Sequence, residues 1–371
     1  MSHVRKDGKS WYYAIDMGKN SEGKRQIKKK RGFKTQKEAK AALTALEASI
    51  NNGTFIEPSK MLYGEFLSNW LRAKKTIVKN STMGTYKNLV DGHIIPALGD
   101  IRLCDLSNDH IRNAILEMKE QNKLSDENLQ KVYTLIKGSL NKAIVQDLIS
   151  KNECTKVDRP SAQRKEMKVW NLNEVQTFLK AAKGEVSYMV FHLALTTAMR
   201  QAELIGLRWH NVDLENGIII VREQLERYTH NFVSLKTKAA YRNISIDQET
   251  VNELIKQKER IEFHKKTLGS DYTDLNLVCP TSVGTPFSPS NLSKIQKRIM
   301  KAAELKPIRF HDLRHTSATL LLPFENPKIV AEKLGHADTR ITLDVYSHLL
   351  PNMQKNTANK LGDLLFGADI K

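Results

Sequence analysis

The chain has 371 residues, of which 59 are Lys or Arg and 41 are Asp or Glu, so its formal net charge is +18. This length allows two or three domains with separate cores, and the charge favours a polyanionic partner bound with strong salt dependence. No run of about 18 apolar residues occurs and the basic N-terminus has no apolar stretch, so we expect neither a membrane span nor a signal peptide, and a cytoplasmic location. The three cysteines, Cys104, Cys154 and Cys279, are far apart and odd in number, which predicts ordinary thiols.

The first 34 residues concentrate the positive charge, with eleven Lys or Arg against three acids. An aromatic stretch at 11–15, a turn at 20–23 and a loosely alternating stretch at 25–33 predict a small sheet, whose aromatic residues we expect to pack in the core. A capping box from Thr35 to Glu38 then predicts a helix ending at 51–53. A β-ribbon fits the major groove of DNA. The candidate DNA contacts are Lys28, Lys29, Lys30 and Arg31, for which a solvated charged patch is the alternative.

Residues 58 to about 150 predict several helices, with Ser81, Ser107 and Ser125 as helix caps. The charged stretch from Lys151 to Lys168, which contains Pro160, predicts a flexible linker between domains. From residue 169 the pattern is again mostly helical, except for three short apolar stretches at 217–221, 232–235 and 241–246. These predict three strands with Lys236 in a hairpin turn, and residues 353–366 predict a final helix.

The C-terminal stretch from Phe310 to Leu350 combines basic residues with a tyrosine. His311 and Arg314 are three residues apart and share one face of a predicted helix. Gly335 and His336 predict a tight turn after the next helix, and Tyr346 follows ten residues later. We therefore expect a tyrosine to lie close to a cluster of basic side chains.

The motifs His311-x-x-Arg314, Leu334-Gly335-His336 and Tyr346 resemble the C-terminal signature of the tyrosine recombinase (phage integrase) family. The segment 197–209 resembles the family's TGxR-x-x-E-L context and supplies Arg200, with Ala198 where the family usually has glycine, a change expected to alter the turn only slightly. Residues 235–238 resemble the family's P-K-T-K turn, with Lys236 as the equivalent lysine and Lys238 as the alternative. The order and spacing of all these residues, rather than any single one, carry the resemblance.

The resemblance implies a multidomain α+β fold. We expect an arm-type DNA-binding domain of a three-stranded sheet and one helix at 1–55, and a helical core-binding (SAM-like) domain at 58–155. A mainly helical catalytic domain with a small antiparallel sheet is expected at 165–371. The implied activity is site-specific DNA recombination by an integrase that acts on a phage or mobile element. The implied partners are core and arm attachment sites, a homotetramer on DNA, a host DNA-bending protein and an excisionase.

Strand cleavage by side-chain attack needs a nucleophile, positive charge for the phosphorane and a proton for the leaving oxygen. Tyr346 is the candidate nucleophile, and Arg200 with Arg314 can bind the non-bridging oxygens. The resemblance implies that Lys236 protonates the 5′ oxygen and that no ATP or metal is needed. His311 is then expected to accept a proton from the tyrosine or to position it. The candidate catalytic residues are Arg200, Lys236, His311, Arg314, His336 and Tyr346.

Three alternatives share parts of this pattern. A type IB topoisomerase-like relaxer uses the same chemistry, but relaxation does not need the N-terminal module. A DNA-binding regulator without catalysis has no use for the complete set of candidate residues. A metal hydrolase built on His311, His315, His336 and His348 lacks nearby carboxylates at ligand spacing, and we expect His315 and His348 to be surface or helix-end residues.

Overall fold

The computed structural model describes residues 2–19, 25–52, 60–162, 167–226, 231–235 and 237–340, with a few isolated positions after 340. The chain divides into two compact units, Met1–Arg164 and Lys165–Lys371. Small antiparallel sheets occur beside many helices in these ranges, which confirms the predicted α+β fold class. Among the helices of the described ranges, none is both long and apolar enough to cross a lipid bilayer.

The described residues before 53 form a small sheet with one helix packed on it. Strands β1 (His3–Asp7), β2 (Ser10–Lys19) and β3 (Arg25–Phe33) are antiparallel in the order β1-β2-β3, and helix α1 (Gln36–Asn51) covers one face. Tyr13, Ile15 and Leu43 form the core between sheet and helix. Tyr13 is therefore a core residue as predicted, whereas residues 11 and 12 are only partly buried.

The cap of α1 differs slightly from the predicted capping box. Thr35 Oγ1 accepts a hydrogen bond from the Glu38 backbone at 3.2 Å, as expected. The Glu38 carboxylate instead accepts from the backbone N–H of Lys34, at 3.0 Å, one residue earlier than the box requires. Both bonds satisfy N–H groups near the helix start, so the predicted helix still forms.

The described residues of the first unit from 60 onward are mainly helical. Their helices are α2 (Tyr63–Lys74), α3 (Asn80–Leu89), α4 (Ile95–Leu98), α5 (Asn108–Glu120) and α6 (Asp126–Val145). A π-helical segment, Val90–Ile94, joins α3 to α4. Ser107 and Ser125 cap α5 and α6 through their side chains, as predicted. The prediction for Ser81 is wrong, because the backbone becomes helical at Asn80 and Lys79 is the N-cap.

The predicted linker is shorter than its composition indicates. Residues Glu153–Lys156 form a 3₁₀ turn, and Cys154 and Val157 are buried in the core of the helical region. Gln130 Nε2 also donates a hydrogen bond to the Pro160 carbonyl at 2.8 Å. The prediction of a flexible segment from Lys151 is therefore wrong for its first ten residues, because two apolar side chains fix them to the helices.

The second unit surrounds a buried helix. Its helices are α7 (Leu172–Ala182), α8 (Tyr188–Thr197), α9 (Gln201–Ile205), α10 (Gln248–Leu268), α11 (Pro289–Ala302), α12 (Phe310–Leu321) and α13 (Pro327–Leu334). Nearly every residue of α8 is buried, and α12 packs against it. This contact brings the start of α9, which follows α8, close to α12.

The strands of the second unit form two small sheets. They are β4 (Val212–Asp213), β5 (Ile218–Val221), β6 (Glu223–Leu225), β7 (Phe232–Ser234) and β8 (Arg242–Ser245). The order β4-β5-β8 gives one antiparallel sheet, and β6 pairs with β7 in the other. Strands β7 and β8 pair with β6 and β5, respectively. The predicted hairpin turn at Lys236 lies outside the described residues.

Candidate active site

Arg200 lies at the junction between α8 and α9. Helix α8 ends at Ala198, which adopts a left-handed conformation with φ 54° and ψ 25°, and Arg200 is the N-cap of α9. A left-handed alanine turns the chain as the family's glycine does, at a steric cost that glycine avoids. The side chain of Arg200 remains 35% exposed. Part of this side chain is thus accessible to a ligand.

Glu203 holds Arg200 in place from within the core. Its carboxylate accepts bonds from the Arg200 backbone N–H and from Nη1, both at 2.9 Å. The side chain is only 1% exposed and also pairs with Arg242 at 2.8 Å. Burial opposes ionisation of Glu203, but the bond and charge of Arg242, with the contacts of Arg200, outweigh it and lower the pKa. Glu203 therefore both caps α9 and orients Arg200.

Helix α12 carries His311 and Arg314. Its start repeats the arrangement of α9, because Asp312 accepts from the Arg309 backbone N–H at 2.8 Å and from the Arg309 side chain. Arg314 lies about one helical turn after His311 and is only 3% exposed. Its Nη1 donates to the Ala198 carbonyl at 2.5 Å, which ties α12 to the turn before Arg200.

The C-terminus of α13 gathers three arginines. Gly335 ends this helix in a left-handed conformation, with φ 65° and ψ 43°, and the predicted Gly335–His336 turn is confirmed. The three consecutive carbonyls of Lys333, Leu334 and Gly335 accept hydrogen bonds from three different guanidinium groups. The donors are Arg242 at 2.8 Å, Arg314, and Arg200 at 3.0 Å, in that order. A helix C-terminus carries partial negative charge, so it stabilises this cluster of cations.

The same turn places His336 beside the arginines. Its backbone N–H donates to the Ala331 carbonyl at 3.0 Å, which fixes the residue directly after the helix. Burial, followed by the charges of Arg314 and Arg200, lowers the pKa of His336 to about 4. The imidazole is therefore neutral at neutral pH in the free protein. The structure brings Arg200, Arg314 and His336 together as the sequence predicted.

His311 packs edge-on against His315, with ring centroids 4.8 Å apart. Partial burial, followed by the neighbouring His315 and Arg314, lowers the pKa of His311 to about 4, although part of its side chain stays at the surface. His315 is partly buried and its pKa is lowered, mainly by burial. His315, expected at the surface or at a helix end, lies within α12 and stays partly exposed. A neutral His311 can accept a proton.

Two of the predicted catalytic residues, Lys236 and Tyr346, lie outside the described residues, as do His348 and the predicted helix at 353–366 apart from isolated positions. The alternative lysine, Lys238, is exposed and begins a 3₁₀ turn before β8. Within the part of the chain that the structure describes, no group of three or more His, Cys, Asp or Glu side chains could hold a metal ion.

Arg242 is a residue of this cluster that our sequence reasoning missed. It lies in β8, two residues before the buried Ile244, so the two side chains share one face of the strand. A charged residue on the core face of a strand is the signal that could have identified it. Its side chain is 6% exposed and must find partners inside the protein.

The four N-terminal candidates lie on β3, and the alternation of the strand divides them between the two faces of the sheet. Lys28 is paired across the strands with the core residue Ile15, and the ammonium group of Lys30 lies 5.9 Å from the Phe33 ring, on the face covered by α1. Lys29 points to the opposite face. Arg31 lies 5.9 Å from the ring of Tyr12, which is paired with Arg5. The open face of the sheet therefore carries Arg5, Tyr12, Lys29 and Arg31.

Comparison with known proteins gives three family matches along the chain. The phage integrase family matches residues 168–353, an arm DNA-binding domain matches 3–50, and the N-terminal SAM-like domain of phage integrases matches 62–119. A tyrosine recombinase XerC-like protein of Caldanaerobacter subterraneus subsp. tengcongensis is 28% identical over 97% of this chain and 97% of its own length. The ICEBs1 integrase of Bacillus subtilis is 30% identical over 65% of this chain and 67% of its own length.

Solved structures give the same result for the fold. The Tn1549 transposon integrase in complex with a circular intermediate DNA has a TM-score of 0.69 and 21% identity, covering 81% of this chain and 99% of that one. A lambda integrase tetramer bound to a Holliday junction has a TM-score of 0.57 and 18% identity, covering 91% of this chain and 96% of that one. At these identities the likeness shows a shared fold.

Proposed function

Because this chain belongs to the phage integrase family and is a site-specific tyrosine recombinase, we propose that it cleaves and rejoins DNA through a covalent 3′-phosphotyrosine on Tyr346. The observation that carries the proposal is the arginine cluster at the end of α13. Arg200 and Arg314 donate to adjacent carbonyls of the turn that also carries His336. Such a cluster forms a fixed, positively charged site for one phosphate group.

The proposed step exchanges one phosphodiester bond for another. The phenol oxygen of Tyr346 attacks the scissile phosphorus, its proton passes to His311, and the bond from phosphorus to the 5′ oxygen breaks. Lys236 gives a proton to that oxygen, while Arg200, Arg314 and His336 bind the non-bridging oxygens. A 5′-hydroxyl of a second strand reverses the step, so the bond energy is conserved. Arginine suits the two phosphate positions because its planar group donates in pairs.

The neutral state of His311 fits its role in this step. Its pKa of about 4 in the free protein leaves an imidazole nitrogen able to accept the phenol proton at neutral pH. A phosphate bound among the arginines adds negative charge close to the ring, and this raises the pKa of His311 towards that of an effective base.

For the whole chain we propose three domains: an arm-binding domain at 1–55, a core-binding domain at 58–155 and a catalytic domain at 165–371. The matches to arm-binding, SAM-like and integrase families along the chain support this division. On the arm-binding domain, the DNA contacts are Lys29 and Arg31 of the four original candidates, joined by Arg5 and Tyr12 on the open sheet face. Lys28 and Lys30 lie on the covered face and contribute only through their charge.

The partners follow from the reaction. The enzyme binds core and arm attachment sites and acts as a homotetramer, as in the lambda integrase tetramer on a Holliday junction. Its substrate is the DNA of a prophage or integrative element, like that of the ICEBs1 integrase, so it works at the bacterial nucleoid in the cytoplasm. A host protein that bends the attachment DNA and an excisionase that sets direction complete the assembly.

The test is to trap the covalent intermediate. The protein is incubated in EDTA with a labelled suicide duplex that carries the direct repeat bounding its own element, and a denaturing gel separates protein-linked DNA. We expect a protein-linked band for the native chain and none for Tyr346→Phe, with equal DNA binding by both. Binding without any covalent band would contradict the catalytic proposal and favour a DNA-binding regulator.

A second duplex separates recombination from relaxation. If the enzyme is an integrase, labelled strands appear in products that join the two duplexes. A topoisomerase-like enzyme would instead relax supercoiled DNA and leave the two duplexes unexchanged.

A further inference from the structure

The buried side chain of Arg242 contacts three separate segments of the second unit. Nε donates to the Lys333 carbonyl at the end of α13, at 2.8 Å. Nη1 donates to the Ala240 carbonyl at 3.0 Å, in the segment between β7 and β8. Nη1 and Nη2 both donate to the carboxylate of Glu203 on α9, at 3.3 and 2.8 Å. One guanidinium group thus joins β8, α9 and α13.

Through Glu203 this group is one contact away from Arg200. The carboxylate is shared: Oε1 accepts from Nη1 of Arg200 and also faces Nη1 of Arg242, while Oε2 accepts from Nη2 of Arg242. Arg200 and Arg242 also donate to carbonyls two residues apart on the α13 turn. The positions of Arg200 and of the turn before His336 are therefore both tied to Arg242.

The close packing at Gly335 supports this reading. A Cβ atom placed on Gly335 would lie 3.1 Å from Nη1 of Arg242 and 3.2 Å from the Ala239 carbonyl. A Cβ atom at these distances would be closer than ordinary van der Waals contact, so the turn packs tightly against the guanidinium group at a residue without a side chain. The turn and Arg242 fit together as one unit.

The contact between Arg242 and Glu203 affects the charge that Arg200 offers to a phosphate. Arg200, Arg242 and Glu203 together carry one net positive charge, which is available to a phosphate. Without Arg242, the buried carboxylate of Glu203 would be balanced by Arg200 alone, and the pair would be neutral. Glu203 would then draw the Arg200 guanidinium group inward, away from a bound phosphate.

We propose that Arg242 is a positioning residue for strand cleavage: it takes part of the charge of Glu203 and thereby keeps Arg200 directed at the scissile phosphate. This inference rests on the proposed function. It assigns Arg242 no contact with DNA, only an effect exerted through Glu203 and the α13 turn.

The experiment uses Arg242→Gln in the full chain on two suicide duplexes. One carries the ordinary phosphate at the cleavage position, and the other carries a methylphosphonate, in which a methyl group replaces one charged oxygen. We expect Arg242→Gln to lower the rate of covalent cleavage of the ordinary duplex by about 10²-fold, as loss of a transition-state donor does. On the methylphosphonate the loss should be much smaller, because a neutral phosphorus centre needs less positive charge from Arg200.

Two further variants control the result. Arg208→Gln removes a guanidinium group that also pairs with a carboxylate, that of Glu223, in the same unit, and it should leave cleavage of both duplexes unchanged. Arg242→Lys keeps the charge but cannot reach all four acceptors, so it should give a loss smaller than that of Arg242→Gln. The lysine variant also tests the proposal if Arg242→Gln does not fold.

The outcomes are distinct. An equal loss on both duplexes would show that Arg242 only supports the fold, and cleavage as fast as native would show no role; either result overturns the inference. If the native chain itself forms no covalent product on either duplex, the proposed function fails, whatever Arg242 does.

Discussion

Replacing Glu203 with glutamine keeps the size of the side chain and removes the negative charge shared by two arginines. Glu203 is 1% exposed, and its partner Arg242 is 6% exposed, so this ion pair lies inside the protein. Removing one partner of a buried pair costs about 3–5 kcal/mol, because the other charge is left buried without compensation. The side chain of Arg200 is 35% exposed and can turn towards water, so leaving Arg200 without its carboxylate partner costs less free energy than leaving Arg242 without it. We therefore expect the free energy of unfolding to fall by about 3 kcal/mol, at the lower end of this range.

The measurement is hydrogen exchange at increasing urea concentration, read by mass spectrometry on peptides from α8 and α12. These peptides report unfolding of the second unit separately from the rest of the chain. The matched control is Glu223→Gln, which breaks the pair with Arg208, where the side chains are 17% and 30% exposed. Breaking this more exposed pair should lower the free energy of unfolding by about 1 kcal/mol or less.

At acidic pH, the native chain and Glu203→Gln should have the same free energy of unfolding. The pKa of Glu203 is lowered in the folded state, so its stabilising effect is complete above the pKa of an unfolded glutamate and is lost as pH falls through the folded pKa. If Glu203→Gln and Glu223→Gln lowered the unfolding free energy equally, the buried ion pair would not be what holds the site together.

Three further predictions concern the turn, the histidines and the sheet. Gly335→Ala should lower the unfolding free energy by about 1–2 kcal/mol and slow cleavage of a core-site duplex, because alanine must adopt a left-handed conformation there. The control is Gly8→Ala, at another residue with positive φ but with open space around it, and this variant should leave cleavage unchanged. The pKa of His336 is lowered to about 4, so the free energy of unfolding should decline as pH falls from about 6.5 to about 4. His336→Gln should flatten this decline in urea titrations. An unchanged dependence on pH would contradict the lowered pKa of His336. Lys29→Ala should reduce the slope of log affinity for arm-site DNA against log salt by about 0.9, whereas Lys28→Ala should change it less; equal effects would show that the sheet faces do not matter.

The sequence predicted the parts of the site that depend on local spacing. His311 and Arg314 share α12, and Gly335 and His336 form the turn after α13. These relations involve residues a few positions apart, where helix and turn geometry determine what is near what. These residues occur along the chain in the same order as in the tyrosine recombinase family, and this order indicated that they belong to one site.

The parts that were missed depend on contacts between distant segments. Nothing in the local sequence shows that Arg242 reaches Glu203 or Lys333, because those partners are 39 and 91 residues away. The linker prediction failed for a similar reason: charge around Cys154 and Val157 suggested an exposed segment, whereas the two apolar side chains dock on helices formed earlier in the chain. Local composition predicts such docking poorly, since tertiary burial decides it.

In the proposed reaction, Tyr346 becomes joined to the 3′ phosphate of a cleaved strand. The most direct test is to trap the covalent complex on a suicide duplex, digest the DNA and the protein, and sequence the nucleotide-bearing peptide by mass spectrometry. Trypsin cleaves after Arg340 and Lys355, and Tyr346 is the one tyrosine in the peptide between them. We predict a nucleotide on Tyr346 in this peptide. A nucleotide on another residue, or cleavage that leaves no modified peptide, would contradict the account.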